Sequence, residues 1–253
     1  MKVTFLGTGT SQGVPVINCQ CDVCASMDPR DKRLRSSIHL ETGGKSFIID
    51  TGPDFRQQVL TQGISKLDAV IFTHQHKDHI AGLDDVRGFN FSLKKDIPIY
   101  GTEAVIEQLK QEFSYIFASS KYPGVPRVVV HSIQNQAFVA EGVEFKPIEV
   151  LHHKLPVFGY RVNNFTYITD AKHISPEEKQ KITGTEVLAI NALQHKPHLS
   201  HFTFEEALSL INEIKPRRAY LTHISHNLGT QLAMSRQLPQ HIELAYDGLQ
   251  IEI

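Results

Sequence analysis

The sequence predicts a layered α/β protein in which two mixed β-sheets carry helices on their outer faces. Short apolar runs alternate with a few helical patterns in both halves of the chain. No stretch rich in proline, glycine or serine divides the chain, so we expect residues 1–253 to form a single domain. Each half also contains a similar segment: the apolar runs AVIFTH and RAYLTH both end in Thr-His, at His74 and His223. Two strand ends that present histidines predict a shared site where the two sheets meet.

In the first half, β-branched and apolar residues predict strands, and an apolar period of 3.6 residues after Thr102 predicts a helix. The segment TGG between the second and third strands is typical of a hairpin. The predicted strands are 3–6, 37–41, 45–50, the end of 67–74 and 97–101, and the helix lies within 101–117.

The second half is denser in strands and contains two helices with clear N-terminal signals. Ser175 with Glu178, and Thr203 with Glu206, predict a capping box at the start of each of these helices. The predicted strands lie in 127–133, 136–151, 159–170, 186–193 and 217–225, and the helices in 175–182, 203–214 and 231–238. A hairpin around Asp247-Gly248 is expected to close the chain over 242–253.

Composition and charge exclude several classes of function. A net charge of −1 gives no global basic field for nucleic acid or an anionic membrane. No apolar run approaches membrane-spanning length, and the start MKVTFLGTGTSQGVP breaks before a signal-peptide core, so we expect a cytoplasmic protein. The 14 histidines indicate a metal or acid–base site.

The segment THQHKDHIAG carries the strongest signal of chemistry. His74 and His76 lie just past a predicted strand, where alternation places them on one face, and Asp78 and His79 follow as the chain turns. Four ligand-type side chains in six residues are too many for one tetrahedral zinc but suit two adjacent metals. A polar loop with chance histidines is the alternative, and the H-x-H-x-D-H spacing argues against it.

This motif resembles the main ligand motif of the metallo-β-lactamase superfamily, and FIIDTGPDF resembles the strand-end Asp-x-Gly that precedes it. The resemblance covers essentially the whole chain. It implies the four-layer αββα sandwich of metal-dependent hydrolases, with two mixed β-sheets flanked by helices. It also implies that Asp50 supports the ligand loop and does not bind metal.

The resemblance further implies the remaining metal ligands, which are His152 in VLHHKLPVFGYR, Asp170 in YITDAKH and His223 in YLTHISH. One metal would be held by His74, His76 and His152, the other by Asp78, His79 and His223, with Asp170 bridging. A hydroxide between the metals would then act as the nucleophile, and zinc or manganese fits the donors. Strand geometry allows only one of His152 and His153 to face the site. The position of His152 before KLPVFGYR favours it, although His153 remains an alternative.

His201 lies just before the Thr203 cap and resembles a histidine of tRNase Z and of PhnP-type phosphodiesterases that faces the scissile phosphate. Such a histidine can protonate a leaving alkoxide or hold a phosphate oxygen, although a polar residue at a helix start is the alternative. His195 and His198 share its spacing of three. They could form a further metal cluster, but exposed loop histidines are the more typical case.

The segment CQCDVC contains all three cysteines, and so tight a group indicates metal or redox chemistry and not a disulfide framework. Together with GTGTSQGVP it resembles the PhnP-type branch, which implies a structural zinc held by Cys19, Cys21, Cys24 and His226. Reduced thiols without a role are the alternative, and a redox C-x-x-C lacks its strand-to-helix context. The long basic arm that tRNase Z would need is absent from the sequence.

We therefore expect a dinuclear metal-dependent phosphodiesterase that acts on a small phosphodiester, with cyclic and nucleotide-like ones included, and that uses Asp78 and His201 in catalysis. The alternatives are a tRNase Z-like nuclease and a glyoxalase II-like thioesterase. The expected cofactors are two catalytic zinc or manganese ions and one structural zinc. We expect no nucleic-acid or membrane partner, and the relatives suggest a homodimer.

Overall fold

Two β-sheets face each other across a shared apolar core in the computed structural model, which describes residues 1–119 and 122–253. Phe47 of the first sheet packs against Phe145 of the second, with ring centroids 5.1 Å apart. Phe5 meets Tyr220 in the same way at 5.7 Å. These aromatic side chains are buried and fill the space between the sheets.

The first sheet is mixed: its strands are antiparallel from β15 to β3 and parallel from β3 to β6. In sheet order it contains β15 (Gln250–Glu252), β1 (Lys2–Gly7), β2 (Ser37–Thr42), β3 (Lys45–Ile49), β4 (Ala69–Ile71), β5 (Ile97–Gly101) and β6 (Val128–Ser132).

The second sheet is also mixed, with antiparallel strands from β11 to β10 and parallel strands from β10 to β14. In sheet order it contains β11 (His173–Ile174), β8 (Val143–His152), β9 (Leu155–Val162), β10 (Phe165–Ile168), β12 (Val187–Asn191), β13 (Arg218–Thr222) and β14 (Ile242–Leu244), and β7 (Phe138–Ala140) pairs with β8.

Helices cover the outer face of each sheet. The helices of the described residues are α1 (Asp22–Ala25), α2 (Phe55–Thr61), α3 (Lys77–Ile80), α4 (Arg87–Leu93), α5 (Glu103–Glu112), α6 (Ser114–Phe117), α7 (Pro176–Ile182), α8 (Phe204–Ile214) and α9 (Gln231–Ser235). Helix α1 lies apart from both sheets and packs against Val14. Helices α2 to α6 share a core with the first sheet, and α7 to α9 share one with the second. The expected αββα sandwich is therefore confirmed. None of the described helices is long and apolar enough to cross a membrane.

Burial on both faces explains the sequence of the central strands. All five residues of β12, VLAIN, are buried, because the other sheet covers one face and helices cover the other. A strand in this position reads as a continuous apolar run and does not alternate. Its polar last residue, Asn191, is satisfied because its side chain bonds the backbone of Ala171 in both directions.

The two predicted capping boxes differ. At α8, Thr203 accepts a hydrogen bond from the Glu206 N–H, and the Glu206 carboxylate accepts one from the Thr203 N–H. At α7, Ser175 caps as expected, but the Glu178 carboxylate accepts the Glu149 N–H and does not reach back. Glu178 therefore ties α7 to β8 and does not complete the capping box.

The closing hairpin predicted around Asp247-Gly248 is wrong. Strand β14 pairs with β13 in the second sheet, and β15 pairs with β1 in the first. The reason lies in the Asp247 carboxylate, which accepts the Thr8 N–H at 2.9 Å and the Leu34 N–H at 2.6 Å. This turn therefore bonds the N-terminal segments and carries the chain from one sheet to the other.

Candidate metal centre

Strand ends from both sheets bring Asp50 and the predicted ligands to one edge of the sandwich. Asp50 follows β3, Asp170 comes shortly after β10, and His223 follows β13. These three residues have left-handed φ angles of 67°, 57° and 53°. A non-glycine residue in such a conformation costs about 1–3 kcal/mol, and strain of this kind concentrates at functional sites. The chain thus bends sharply at each strand end where the site begins.

His74, His76 and His152 form one half of the site. Thr73 Oγ1 donates to Asp50 Oδ2 at 2.7 Å and lies 3.0 Å from His74 Nδ1, whose N–H it can accept. The lone pair on His74 Nε2 then points at His76 Nδ1, 3.0 Å away. The ring of His152 lies 5.2 Å from that of His76. Two ring nitrogens at this separation need a proton or a cation between them.

His79 lies at the centre of the other half. Its Nδ1 donates to Asp50 Oδ2 at 2.7 Å. Its Nε2 lies 3.2 Å from Asp78 Oδ2 and 3.3 Å from Asp170 Oδ2, and it has no hydrogen-bond partner among the described residues although it is buried. Burial lowers the pKa of His79, but Asp50, Asp170 and Asp78 outweigh it and raise that pKa well above its ordinary value.

Asp170 lies between the two halves. Its Oδ2 is 3.3 Å from both His79 Nε2 and His223 Nδ1, and its Oδ1 is 3.1 Å from His201 Nε2. Burial lowers the pKa of His223 to about 4, so this imidazole is neutral near pH 7 and keeps a lone pair for a metal. The position of Asp170 suits a carboxylate shared between two cations.

The residues present fit divalent metals. Two groups of ligand atoms each converge within 4.8 Å, one from His74, His79 and Asp170 and the other from His152, Asp170 and His201. This grouping crosses the division of ligands that the resemblance implies, because it places His74 with His79 and adds His201. The orphaned Nε2 of His79 and the facing nitrogens of His74 and His76 are the atoms that a cation would satisfy. Imidazole with carboxylate oxygen suits zinc and manganese alike.

His152, and not His153, faces the site. Its Nδ1 lies 3.0 Å from the carbonyl oxygen of Asp170 and 2.9 Å from that of Ser200, so Nδ1 donates and Nε2 is left for the site. His153 is exposed and has a left-handed φ of 56° where β8 turns into β9. The turn that separates the two histidines therefore decides between them.

His201 lies against the same centre. It is 9% exposed, and its ring lies 4.6 Å from that of His152 and 4.9 Å from that of His223. His195 instead pairs with Glu205 at 2.8 Å on the surface. Among the described residues, the converging metal-ligand groups include neither His195 nor His198, so the looser cluster of 195, 198 and 201 is not formed.

Residues 45–224 match the family model described as Beta-lactamase superfamily domain. The chain belongs to this superfamily. A crystal structure described as a new diphosphatase from the PhnP family superposes with a TM-score of 0.93 and 41% identity, and the match covers 100% of this chain and 96% of that one. The short form of human tRNase Z superposes at 0.70 with 20% identity over 100% of this chain and 99% of that one, which shows the fold alone.

Among curated proteins, an octanoyltransferase of Porphyromonas gingivalis is 37% identical over 253 residues, which are 99% of this chain and 51% of that protein. The chain spans about half the length of the curated relatives that it matches. The resemblance to the PhnP-type branch of the superfamily is thus confirmed, with tRNase Z as the more distant relative.

A second ligand cluster lies where the loop after β1 meets the segment after β13. The sulfur atoms of Cys19, Cys21 and Cys24 are 3.2, 3.4 and 3.5 Å from His226 Nδ1. The Cys24 N–H is the main cause that lowers the pKa of Cys21 to about 6, whereas burial raises the pKa of Cys24 to about 11. Three thiols and one imidazole around one point are a tetrahedral zinc donor set.

Apart from the support by Asp50, the contacts that orient the candidate ligands were not predicted from sequence. Ser36 Oγ and Thr169 Oγ1 lie 3.1 and 3.2 Å from His223 Nδ1, and the Ser200 carbonyl orients His152. These residues belong to segments far apart in the chain and carry no spacing pattern. Of these contacts, the sequence could have indicated that of Thr73, because Thr-His ends both AVIFTH and RAYLTH.

We expect Asp50→Asn to weaken metal binding by about 10–100-fold, the usual loss when the partner of a ligating histidine is changed. The amide removes the negative charge that Asp50 places beside His79 Nδ1. Chelator competition on the purified protein measures this affinity. The matched control is Asp96→Asn, which changes a surface carboxylate paired with Arg127. Equal affinity in the two variants would contradict the supporting role of Asp50.

We expect Gly52→Ala to lower both stability and metal content. A Cβ at position 52 would lie 2.2 Å from the backbone oxygen of Asp78, so the ligand loop would have to move. Gly88→Ala is the control, because a Cβ there meets nothing within 4 Å and the position is helical. Alanine should be neutral or stabilising at that position. Denaturant unfolding and metal analysis compare them, and a Gly52→Ala protein like wild type would refute the close approach.

We expect Cys21→Ser to remove about one metal ion per chain and to lower the denaturant midpoint, because folding of such a loop is coupled to its metal. Gln20→Ser, at the exposed neighbouring position, is the control. Elemental analysis with an unfolding curve tests this. Unchanged metal content and unchanged stability would show that the cysteine cluster is not a structural site.

Proposed function

We propose that this chain is a dinuclear metal-dependent phosphodiesterase that hydrolyses small phosphodiesters, with cyclic and nucleotide-like ones included. The observation that carries the proposal is the position of His201. Its Nε2 lies 3.1 Å from Asp170 Oδ1, so a proton donor adjoins the carboxylate that lies between the two halves of the candidate metal centre. A site for hydrolysis of an ester with a poor leaving group needs this combination.

Each side chain of the site has a role in this proposal. His74, His76 and His152 would hold one metal, Asp78, His79 and His223 would hold the other, and both metals would share Asp170. When bound, divalent metals neutralise phosphate charge and lower the pKa of water so that it attacks near neutral pH. His201 donates the proton at its Nε2 to the leaving alkoxide, or a hydrogen bond to a non-bridging oxygen. Burial of His79, His223 and Asp170 excludes bulk water and strengthens these interactions.

A diphosphate linkage is the second candidate for the bond that is cleaved. The structure described as a PhnP-family diphosphatase, at 41% identity over the whole chain, favours it. Both candidates require the same attack at phosphorus and differ only in the leaving group, which is an alkoxide in one case and a phosphate in the other. His201 matters more for the alkoxide, which is the stronger base.

Acyl transfer has less support. The octanoyltransferase relative is about twice as long as this chain, so its name describes a protein of which only about half is matched. The three cysteines, which are the thiols that could carry an acyl group, all converge on His226.

Nuclease activity has little electrostatic support, because the net charge of the chain is −1. The homodimer expected from the relatives stays a prediction that sedimentation velocity can test.

A substrate panel on the metal-replete protein tests the proposed function. It compares bis(p-nitrophenyl) phosphate, a 2′,3′-cyclic nucleotide, a dinucleotide diphosphate, a thioester and pre-tRNA. We expect hydrolysis of the phosphodiesters, or of the diphosphate if the second candidate holds. Hydrolysis of the thioester alone would indicate a thioesterase, and salt-sensitive cleavage of pre-tRNA would indicate a nuclease; either result would overturn the proposal.

We expect His201→Ala to lower kcat on the cyclic nucleotide by roughly 10²–10⁴-fold, the usual worth of a positioned general acid. The loss on bis(p-nitrophenyl) phosphate should be much smaller, because nitrophenolate leaves without a proton. His195→Ala is the control, since that histidine lies on the surface beside Glu205. Equal losses of His201→Ala on both substrates would contradict a role in protonating the leaving group.

A further inference from the structure

A short turn links the exposed surface to the site through three side chains. His198 and Ser200 lie on the loop between β12 and α8, directly before His201. His198 is exposed, whereas His201 is buried. Nδ1 of His198 lies 3.1 Å from Nδ1 of His201, so the two imidazoles meet edge to edge at the mouth of the metal centre.

The proton between these two nitrogens can be assigned from the backbone. The Ser200 N–H points at His198 Nδ1 at 3.3 Å, which makes that nitrogen an acceptor. A nitrogen that accepts an N–H carries no proton of its own. The contact between the two imidazoles is a hydrogen bond only if His201 Nδ1 carries the proton and donates it. Ser200 Oγ lies 3.0 Å from His201 Nδ1 and 3.3 Å from His198 Nδ1, and it fits this arrangement by accepting from the first and donating to the second.

We propose that His198 is a positioning residue, whose Nδ1 holds His201 in the tautomer protonated at Nδ1 and so keeps Nε2 as the nitrogen that faces the reaction. This inference rests on the proposed function of His201. With Nδ1 engaged by His198, Nε2 is the ring nitrogen that lies 3.1 Å from Asp170 Oδ1 and faces the site, so a proton passed to a leaving group would be carried there. Among the described residues, His198 makes no hydrogen bond to Asp170 or His152 and reaches the metal centre only through His201.

The same turn also orients a metal ligand. The Ser200 carbonyl lies 2.9 Å from His152 Nδ1, while the N–H of the same residue holds His198. One peptide segment therefore fixes the ring orientation of His152 and, through His198, that of His201. This double use explains why two neighbouring imidazoles, with rings 4.6 Å apart, both present Nε2 to the site.

Imidazole tautomers are measured directly by long-range ¹H–¹⁵N correlation on histidine-labelled protein, with and without zinc. We expect a protonated, pyrrole-type Nδ1 for His201 and an unprotonated, pyridine-type Nδ1 for His198. In His198→Ala the His201 signals should shift toward a mixture of tautomers. His198→Asn should restore them, because its Oδ1 occupies the place of Nδ1 and accepts a hydrogen bond. A protonated Nδ1 on His198, or His201 signals unchanged by His198→Ala, would overturn the inference.

Kinetics give a second readout that a merely structural role would not move. On the cyclic nucleotide we expect His198→Ala to lower kcat by about 10–100-fold with KM and metal content unchanged, and His198→Asn to recover most of the loss. In a His201→Ala background, His198→Ala should cost nothing further, because it acts through the missing ring. Independent, multiplicative losses in this double-mutant cycle would refute the proposal. His195→Ala is again the surface control.

The outcomes separate this inference from the proposed function. If the metal-replete wild type hydrolyses no phosphodiester or diphosphate, the proposed function fails while the tautomer measurement still decides the contact. If the wild type hydrolyses the cyclic nucleotide and the His198 variants match it, the proposed function stands and the role of His198 is refuted.

Discussion

The buried carboxylate of Asp50 is the interaction on which the rest of the site depends. It accepts the Thr73 N–H at 2.8 Å, the Thr73 hydroxyl at 2.7 Å and His79 Nδ1 at 2.7 Å. These bonds tie the end of β3 to the end of β4 and to the ligand loop. A charge in so dry a place costs several kcal/mol unless all its lone pairs are used. The same bonds that offset this cost orient the imidazoles of His74 and His79.

Close backbone packing completes that corner of the molecule. The Thr51 N–H donates to the His79 carbonyl, and the Gly82 N–H donates to the Thr51 carbonyl, so the two loops run side by side. Gly52 and Gly82 lie where any side chain would overlap the neighbouring backbone. Glycine at these two positions therefore allows the backbones to approach closely, and neither position is a left-handed turn. The ligand loop is held from one side by the Asp50 carboxylate and from the other by these backbone bonds.

The second sheet is attached to this corner by long-range polar contacts. Ser36, which precedes β2, bonds the Gly9 carbonyl and lies 3.1 Å from His223, while the Ile224 N–H donates to the Thr8 carbonyl. The cysteine cluster joins the loop after β1 to His226, which is three residues from the candidate ligand His223. The N-terminal segment thus braces the part of the site that the second sheet supplies, and a zinc there would act on the centre through position alone.

Periodicity and capping residues predicted two layered sheets with helices outside, and the H-x-H-x-D-H spacing predicted the first four candidate ligands, because these are local features of the chain. The superfamily resemblance implied His152, Asp170 and His223. Only the tertiary structure decided between His152 and His153, where a left-handed turn exposes one of them. Only the tertiary structure placed the two strands of the expected closing hairpin in different sheets, because Asp247 bonds Thr8 and Leu34 instead of its own turn. Local pattern specifies an element and its ligand types, whereas the partner of a side chain depends on segments that meet only after folding.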